Sequence, residues 1–272
     1  MKPYIVWILS ILKFIFLKKR FLLLSPPFLN KQHWYDRFSK KRFITLNRNM
    51  TDWGTSWQVF LDDQFAPLKN IYNDSREKDL LDYENYGIKN SKQPLIIDCG
   101  SNSGASCIYF SLTYPRAKIV GIEIDTNNYI HSIKNIELNN MDAVIINKGI
   151  SSTDGYGNII NPEEDNNSFR IEKNNSSDNR VSMISMNKLI EDYPLNKFFP
   201  FIIKIDIEGG EEDLFESNTE WVSNIPMIII ELHDWLIPKK GTSLNFLKVI
   251  SKLDRDFNIK GENIFSVKNK LL

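Results

Sequence analysis

The side chains with the most chemistry to offer sit at the ends of two apolar runs. In F-I-I-K-I-D-I-E-G-G-E-E, residues 201–212, Lys204, Asp206 and Glu208 alternate with isoleucines, and in P-M-I-I-I-E-L-H-D-W, residues 226–235, Glu231 and His233 stand two apart. Strand side chains repeat every second residue, so each set begins on one face. Histidine changes charge near neutral pH and a neighbouring carboxylate orients it. His233 with Glu231 therefore reads as a base that takes the proton of a hydroxyl. Asp206, Glu208 and His233 are also the oxygen and imidazole types that hold a divalent metal. Deprotonation without a metal is the preferred reading and the metal is the alternative. A lysine and two acids in a parallel strand must pair or line a cavity, because such strands are otherwise apolar on both faces. Lys204, Asp206 and Glu208 are accordingly expected to position an acceptor or bind an ion, although a structural ion pair would account for them too. Glu211 follows the Gly209-Gly210 turn and could also face the cleft, whereas Glu212 and Asp213 suit the first turn of a helix.

A second set of residues reads as a cofactor site. L-I-I-D-C-G-S-N-S-G, residues 95–104, is an apolar strand that ends in Asp98 and opens into a glycine turn. Gly100 and Gly104 let backbone approach a ligand, Ser101 is small, and Asn102 is among the few other types that tolerate a positive φ. Some twenty residues on, A-K-I-V-G-I-E-I-D ends in Glu123, an acid placed to bind a ribose diol. NAD and S-adenosylmethionine both carry that diol. Asp98 separates them: a carboxylate there would repel a pyrophosphate but suits an ammonium and a sulfonium. S-adenosylmethionine is the expected cofactor, with capping of the turn as the alternative role for Asp98. The third run, A-V-I-I-N-K-G-I, brings Gly149, Ile150 and Ser151 to the position expected for the adenine.

These sites require strands in strand-helix order, which predicts a doubly wound α/β sheet. Residues 152–180 interrupt it with turn clusters around two short strand-like pieces, 157–160 and 168–171, expected to form a lid or a hairpin insertion. F-N-I-K and N-I-F-S-V near the end read as a closing antiparallel hairpin. Together D-C-G-S-N-S-G, I-E-I-D and K-I-D-I-E-G-G-E-E-D-L-F resemble the FkbM-type class I methyltransferases over about residues 50–270. The third motif is the most specific, and Ser101 stands where the family often has alanine. The resemblance implies a Rossmann-like fold with a seven-stranded, mostly parallel sheet, an antiparallel terminal hairpin and helices on both faces. It also implies S-adenosylmethionine-dependent O-methylation of a sugar, glycan or secondary metabolite. The rivals are an NAD-linked oxidoreductase or epimerase, for which no tyrosine-lysine pair stands in a convincing place, and a non-catalytic, membrane-associated binding protein.

The chain has 272 residues, with 34 basic and 34 acidic side chains, so no global field favours nucleic acid or a membrane. Its organisation is expected to be a hydrophobic and basic segment (1–28), a helical lead-in (29–92) and a catalytic domain (93–272). Residues 1–28 are apolar, but Lys13 interrupts the run and Lys18, Lys19 and Arg20 close it. That is short of the roughly 20 residues of a spanning helix. With no small-residue cleavage site, the segment reads either as a helix lying in a membrane interface or as one packed on its own protein. Cys99 and Cys107, the two cysteines, flank the cofactor loop and are expected as buried thiols of a reducing compartment. The expected location is cytoplasmic, with membrane association if residues 1–28 take the interfacial one of these two readings.

Overall fold

The computed structural model describes residues 3–26, 29–65, 74–159, 171–172 and 180–271. The chain opens on α1 (Pro3–Phe16), followed by β1 (Phe21–Leu23), β2 (Lys31–Asp36) and β3 (Lys41–Leu46), which pair antiparallel in that order. Within the lead-in, expected as helix and turn, residues 31–36 and 41–46 form strands instead. The cause is a period of two: Gln32, Trp34 and Asp36 face inward while Lys31 and His33 face out, and Phe43 and Thr45 continue the inner side. Trp34 Nε1 donates to Thr45 Oγ1 at 3.0 Å. Arg20 forms a buried ion pair with Asp36 at 3.0 Å and donates to Thr113 Oγ1 at 2.7 Å, tying the lead-in to the main body.

Two helices, α2 (Met50–Ser56) and α3 (Asp74–Lys89), lead into the larger sheet. Asn49 caps α2 by accepting from the amides of Thr51 and Asp52. The alternating part is β4 (Gln93–Cys99), α4 (Ala105–Thr113), β5 (Lys118–Glu123), α5 (Thr126–Leu138) and β6 (Ala143–Asn147). Next come β7 (Gly149–Ser151), β8 (Gly155–Ile159), β9 (Ile171–Glu172) and β10 (Arg180–Ser185), which form a separate sheet in the order β7-β10-β8-β9. Of the two strand-like pieces expected here, 157–159 lies within β8 and Ile171 within β9, while 160 and 168–170 lie outside the described residues. The chain closes with α6 (Met186–Glu191), β11 (Phe198–Ile205), α7 (Glu211–Leu214), β12 (Met227–Glu231), α8 (Leu244–Ile250), β13 (Arg255–Lys260) and β14 (Asn263–Lys268).

The seven-stranded sheet runs β13-β14-β12-β11-β4-β5-β6, parallel from β12 to β6, with β14 and β13 antiparallel at the edge. This is the Rossmann-like class I methyltransferase arrangement expected from the sequence. Its centre is isoleucine on both faces: Ile96 and Ile202 belong to one buried cluster, Ile97, Ile203 and Ile205 to the other. Each such side chain contributes roughly 1.5–3 kcal/mol on burial. The first cluster extends through Tyr109 and Phe110 of α4 to Phe60, Trp34, Phe43 and Phe21, so the lead-in shares the core of the catalytic part. Cys99 and Cys107 are both buried free thiols. Among the described residues no helix is long and apolar enough to cross a membrane.

Candidate active site

Strand order reverses about β4, whose neighbours β11 and β5 continue in opposite directions. Open α/β sheets bind ligands beyond the carboxyl ends of the strands at such a point. A cleft opens there. Gly100, Asn102 and Glu123 form one wall; Gly149, Ile150 and Lys148 another; and Asp206, Ile207, Glu208 and Gly210 a third. Ile122, Ile124 and Asn128 complete the lining.

The loop after β4 is fixed by close packing. Gly100 has φ 78°, and a Cβ there would lie 1.8 Å from the Asp206 carbonyl oxygen, so only glycine fits. Asn102 takes φ 47° and Gly104 φ 80°. Glu123 ends β5 with both carboxylate oxygens engaged, accepting from the amides of Asn102 at 2.7 Å and Asp125 at 2.9 Å. Burial raises its pKa to about 7. Gly100, Asn102 and Glu123 thus meet at the cleft as the sequence suggested, with Gly104 behind them as the start of α4.

Three cofactor candidates are placed differently. Asp98 has no exposed surface; it accepts from Ser106 Oγ and from Cys107 Sγ at 3.2 Å and pairs with Lys204 Nζ at 3.2 Å. Its charge is matched inside the protein, and it does not line the cleft. The Ser101 side chain points into the core, where a Cβ on Gly121 would come within 3.0 Å of it. Ser151 Oγ turns back to the carbonyl of Thr153, leaving Gly149 and Ile150 as the part of β7 that forms the wall.

Lys204 is likewise internal. Its ammonium donates to the Gly100 carbonyl at 2.9 Å and lies 3.2 Å from Asp98 and 3.3 Å from Asp206. Burial works against the charge, but the two carboxylates outweigh it and hold the pKa above the usual lysine value. Lys204 ties the loop to the strand and is not among the residues that line the cleft. Alternation along β11 ends with the strand: Glu208 (φ 54°) and Gly209 (φ 94°) form a left-handed turn, and that turn brings Glu208 to the cleft.

His233 is 1 % exposed, just past the end of β12. Its Nδ1 donates to the Glu211 carboxylate at 2.8 Å, so Glu211 is the group that orients the ring. Glu231 instead lies 3.6 Å from Nε2, beside Asp206 and Glu208 at 3.5 Å each. Burial works to discharge the imidazole, but Glu211, Asp206 and Glu208 outweigh it and raise its pKa to about 9. Burial, then Asp206, raises both Glu208 and Glu231 to about 7. Asp206, Glu208 and His233 offer ligand atoms that all lie within 4.8 Å of one another. Asn128 belongs to the cleft without a motif to announce it, and Lys148, Ile124 and Ile207 lie in the apolar runs with no role expected of them there; Asn128 is held by Arg48, which donates to its Oδ1 at 2.7 Å.

Residues 98–258, more than half of the chain, match the family model for the methyltransferase FkbM domain. The chain belongs to the FkbM methyltransferase family. The residues that line the FkbM cleft, from Gly100 to Gly210, fall inside the match. A curated relative, the hexuronic acid methyltransferase AglP of Haloferax volcanii, is 24% identical over 164 residues. The match spans 58% of this chain and 66% of that protein, just under two thirds of its length. Solved structures with similar topology include an O-methyltransferase from Bacillus cereus in complex with SAH (TM-score 0.40, 11% identity, 76% of this chain and 97% of that one). Another is precorrin-6y C5,15-methyltransferase from Geobacter metallireducens (TM-score 0.38, 11% identity, 77% and 97%).

Proposed function

We propose that this FkbM protein transfers the methyl group of S-adenosylmethionine to a hydroxyl oxygen of a sugar-containing or related metabolite. The observation that carries the reading is the chemistry of the cleft wall. Three carboxylates, Glu123, Asp206 and Glu208, face one isoleucine-lined space in which Lys148 is the only cation among the described lining residues. A pyrophosphate would meet repulsion there, whereas a sulfonium and an ammonium would meet complementary charge. The electrostatic preference first read from Asp98 thus passes to Asp206 and Glu208. Family membership favours the same reading over an NAD-linked one, and the AglP likeness favours a uronic-acid-type sugar as the first acceptor to try.

The residues fit this donor. Glu123, held by two backbone amides, keeps lone pairs for a ribose diol, and Ile122, Ile124, Ile150 and Ile207 suit the faces of an adenine. S-adenosylmethionine supplies an electrophilic methyl carbon, and the protein must hold the acceptor oxygen in line with it. His233, with its pKa raised to about 9, would take the hydroxyl proton at Nε2 only in its neutral form, so turnover should rise with pH toward 9, with Glu211 fixing the tautomer through Nδ1 and Glu231 flanking the accepting nitrogen. A second reading rests on the 4.8 Å cluster: Asp206, Glu208 and His233 would hold a hard divalent cation that lowers the pKa of a bound hydroxyl.

Calorimetry with S-adenosylmethionine and with NAD tests the donor, and methyl release onto hexuronic acid glycans tests the acceptor class. Binding of NAD without S-adenosylmethionine would overturn the proposal. His233→Ala is expected to lower turnover by about 10²–10⁴ while donor affinity survives; unchanged turnover would remove the base. Loss of turnover on chelation, restored by Mg²⁺ or Mn²⁺, would select the metal reading instead.

A further inference from the structure

The overall charge balance conceals a segregation. Residues 1–42 hold ten lysines and arginines against a single acid, Asp36, and the remaining 230 residues hold 24 bases against 33 acids. That one acid is buried against Arg20, so it does not offset the surface charge. Lys13, Lys18, Lys40, Lys41 and Arg42 are all exposed.

The same region carries an apolar helix face that stays exposed among the described residues. On α1, Ile5, Ile8, Leu12, Ile15 and Phe16 are exposed, Phe16 at 74 %. Their spacing of three and four residues places them on one side of the helix. The opposite side is the one that packs: Trp7 Nε1 donates to the Leu23 carbonyl at 2.9 Å, Ser10 is buried, and Phe14 meets Tyr35 edge-on with ring centroids 6.1 Å apart. The helix is thus seated by its smaller, partly polar face and presents its greasier face outward, the reverse of an ordinary surface helix. Leu17 continues the patch, and Phe38 adds an exposed aromatic ring at the β2–β3 turn. That turn adjoins the end of α1, because Arg37 donates to the Phe14 carbonyl at 2.5 Å and stacks on its ring at 4.0 Å.

From this we infer that α1 and the β2–β3 turn form a docking surface for an anionic lipid bilayer. The helix has 14 residues, about 21 Å at 1.5 Å per residue, so it lies in the interface and does not span it. Charge selects the occupant. A second copy of the chain would bring two strongly basic segments together, whereas anionic headgroups complement the lysines and arginines around the apolar face, each worth attraction near such a surface.

Flotation of the full chain with vesicles tests this. The protein should float with vesicles containing about one third phosphatidylglycerol, bind pure phosphatidylcholine at least about tenfold more weakly, and release at high salt. Ile8→Asp with Leu12→Asp should abolish flotation, and Lys13→Glu with Lys18→Glu should weaken it at least about tenfold. Both variants change exposed residues away from the cleft and should keep the circular dichroism spectrum and donor affinity of the parent. Failure of the parent to float with anionic vesicles would overturn the inference, as would flotation indifferent to the four substitutions. A dimer in solution that Ile8→Asp with Leu12→Asp converts to monomer, with no vesicle binding, would assign the face to a second copy and overturn it equally.

Discussion

Replacing Lys204 by methionine separates a structural role for the Asp98–Lys204 pair from a ligand-binding one. The ammonium is 4 % exposed and faces two carboxylates at 3.2 and 3.3 Å and a carbonyl at 2.9 Å. At an effective dielectric of about 20, one unit-charge pair at that distance attracts by about 5 kcal/mol before desolvation. Removing one member of a buried pair leaves the other charge uncompensated and costs about 3–5 kcal/mol. Against a total stability of roughly 5–15 kcal/mol this is large. With a urea slope of about 2–3 kcal/mol/M, the unfolding midpoint of Lys204→Met should fall by about 1–2 M. Asp98→Asn should also destabilise, and the double variant should lose about 2–3 kcal/mol less than the sum of the two singles. The assay is urea unfolding followed by circular dichroism, with calorimetric donor affinity measured alongside. An Asp98→Asn protein of unchanged midpoint but tenfold weaker donor binding would refute the reasoning and return Asp98 to the cleft.

Other outcomes follow from the same geometry. Burial raises Glu123 to about 7, and in its proposed role it would hold the ribose best when ionised, so calorimetric donor affinity should fall as pH drops below about 7; a profile unchanged in Glu123→Gln would contradict that role. Gly100→Ala places a methyl 1.8 Å from backbone at a positive φ and should cost several kcal/mol or prevent folding, read as a lowered Tm. Hydrogen bonds and charge from Arg20 outweigh the burial of Asp36 and hold its pKa below the usual carboxylate range. Its stabilisation is therefore complete above the ordinary carboxylate pKa and lost as pH falls through the lowered one. Comparing the acid limb of the Tm profile with that of Asp36→Asn checks the sign.

The sheet was legible because its strands are runs of isoleucine with glycine, proline or a carboxylate at their ends, and few other structures use such runs. The β2–β3 hairpin was less so. Its inner face mixes Trp34 and Phe43 with Gln32, Asp36 and Thr45, which blurs the apolar signal while the period of two persists. Within the site, Gly100, Asn102 and Glu123 could be placed from their own neighbourhood. Asp98 could not, because a residue far along the chain decides whether an acid before a glycine loop faces ligand or core, and here Lys204 takes it inward. The partner of His233 was obscured for a similar reason. Strand alternation favoured Glu231, but the left-handed turn at Glu208 and Gly209 swings Glu211 beneath the ring instead.

The four-residue helix α7 has a further consequence. Glu211 at its start holds the imidazole, while Asp213, two residues on, accepts from the Ser152 amide at 3.3 Å and hydroxyl at 3.2 Å, next to the β7 segment that walls the cleft. One turn of backbone therefore links the segment proposed to face the nucleoside with the histidine proposed to take the proton. The two substrates are expected to bind cooperatively, each raising the affinity of the other by the same factor, as linkage requires. Asp213→Asn, which touches neither, should bring that factor toward one.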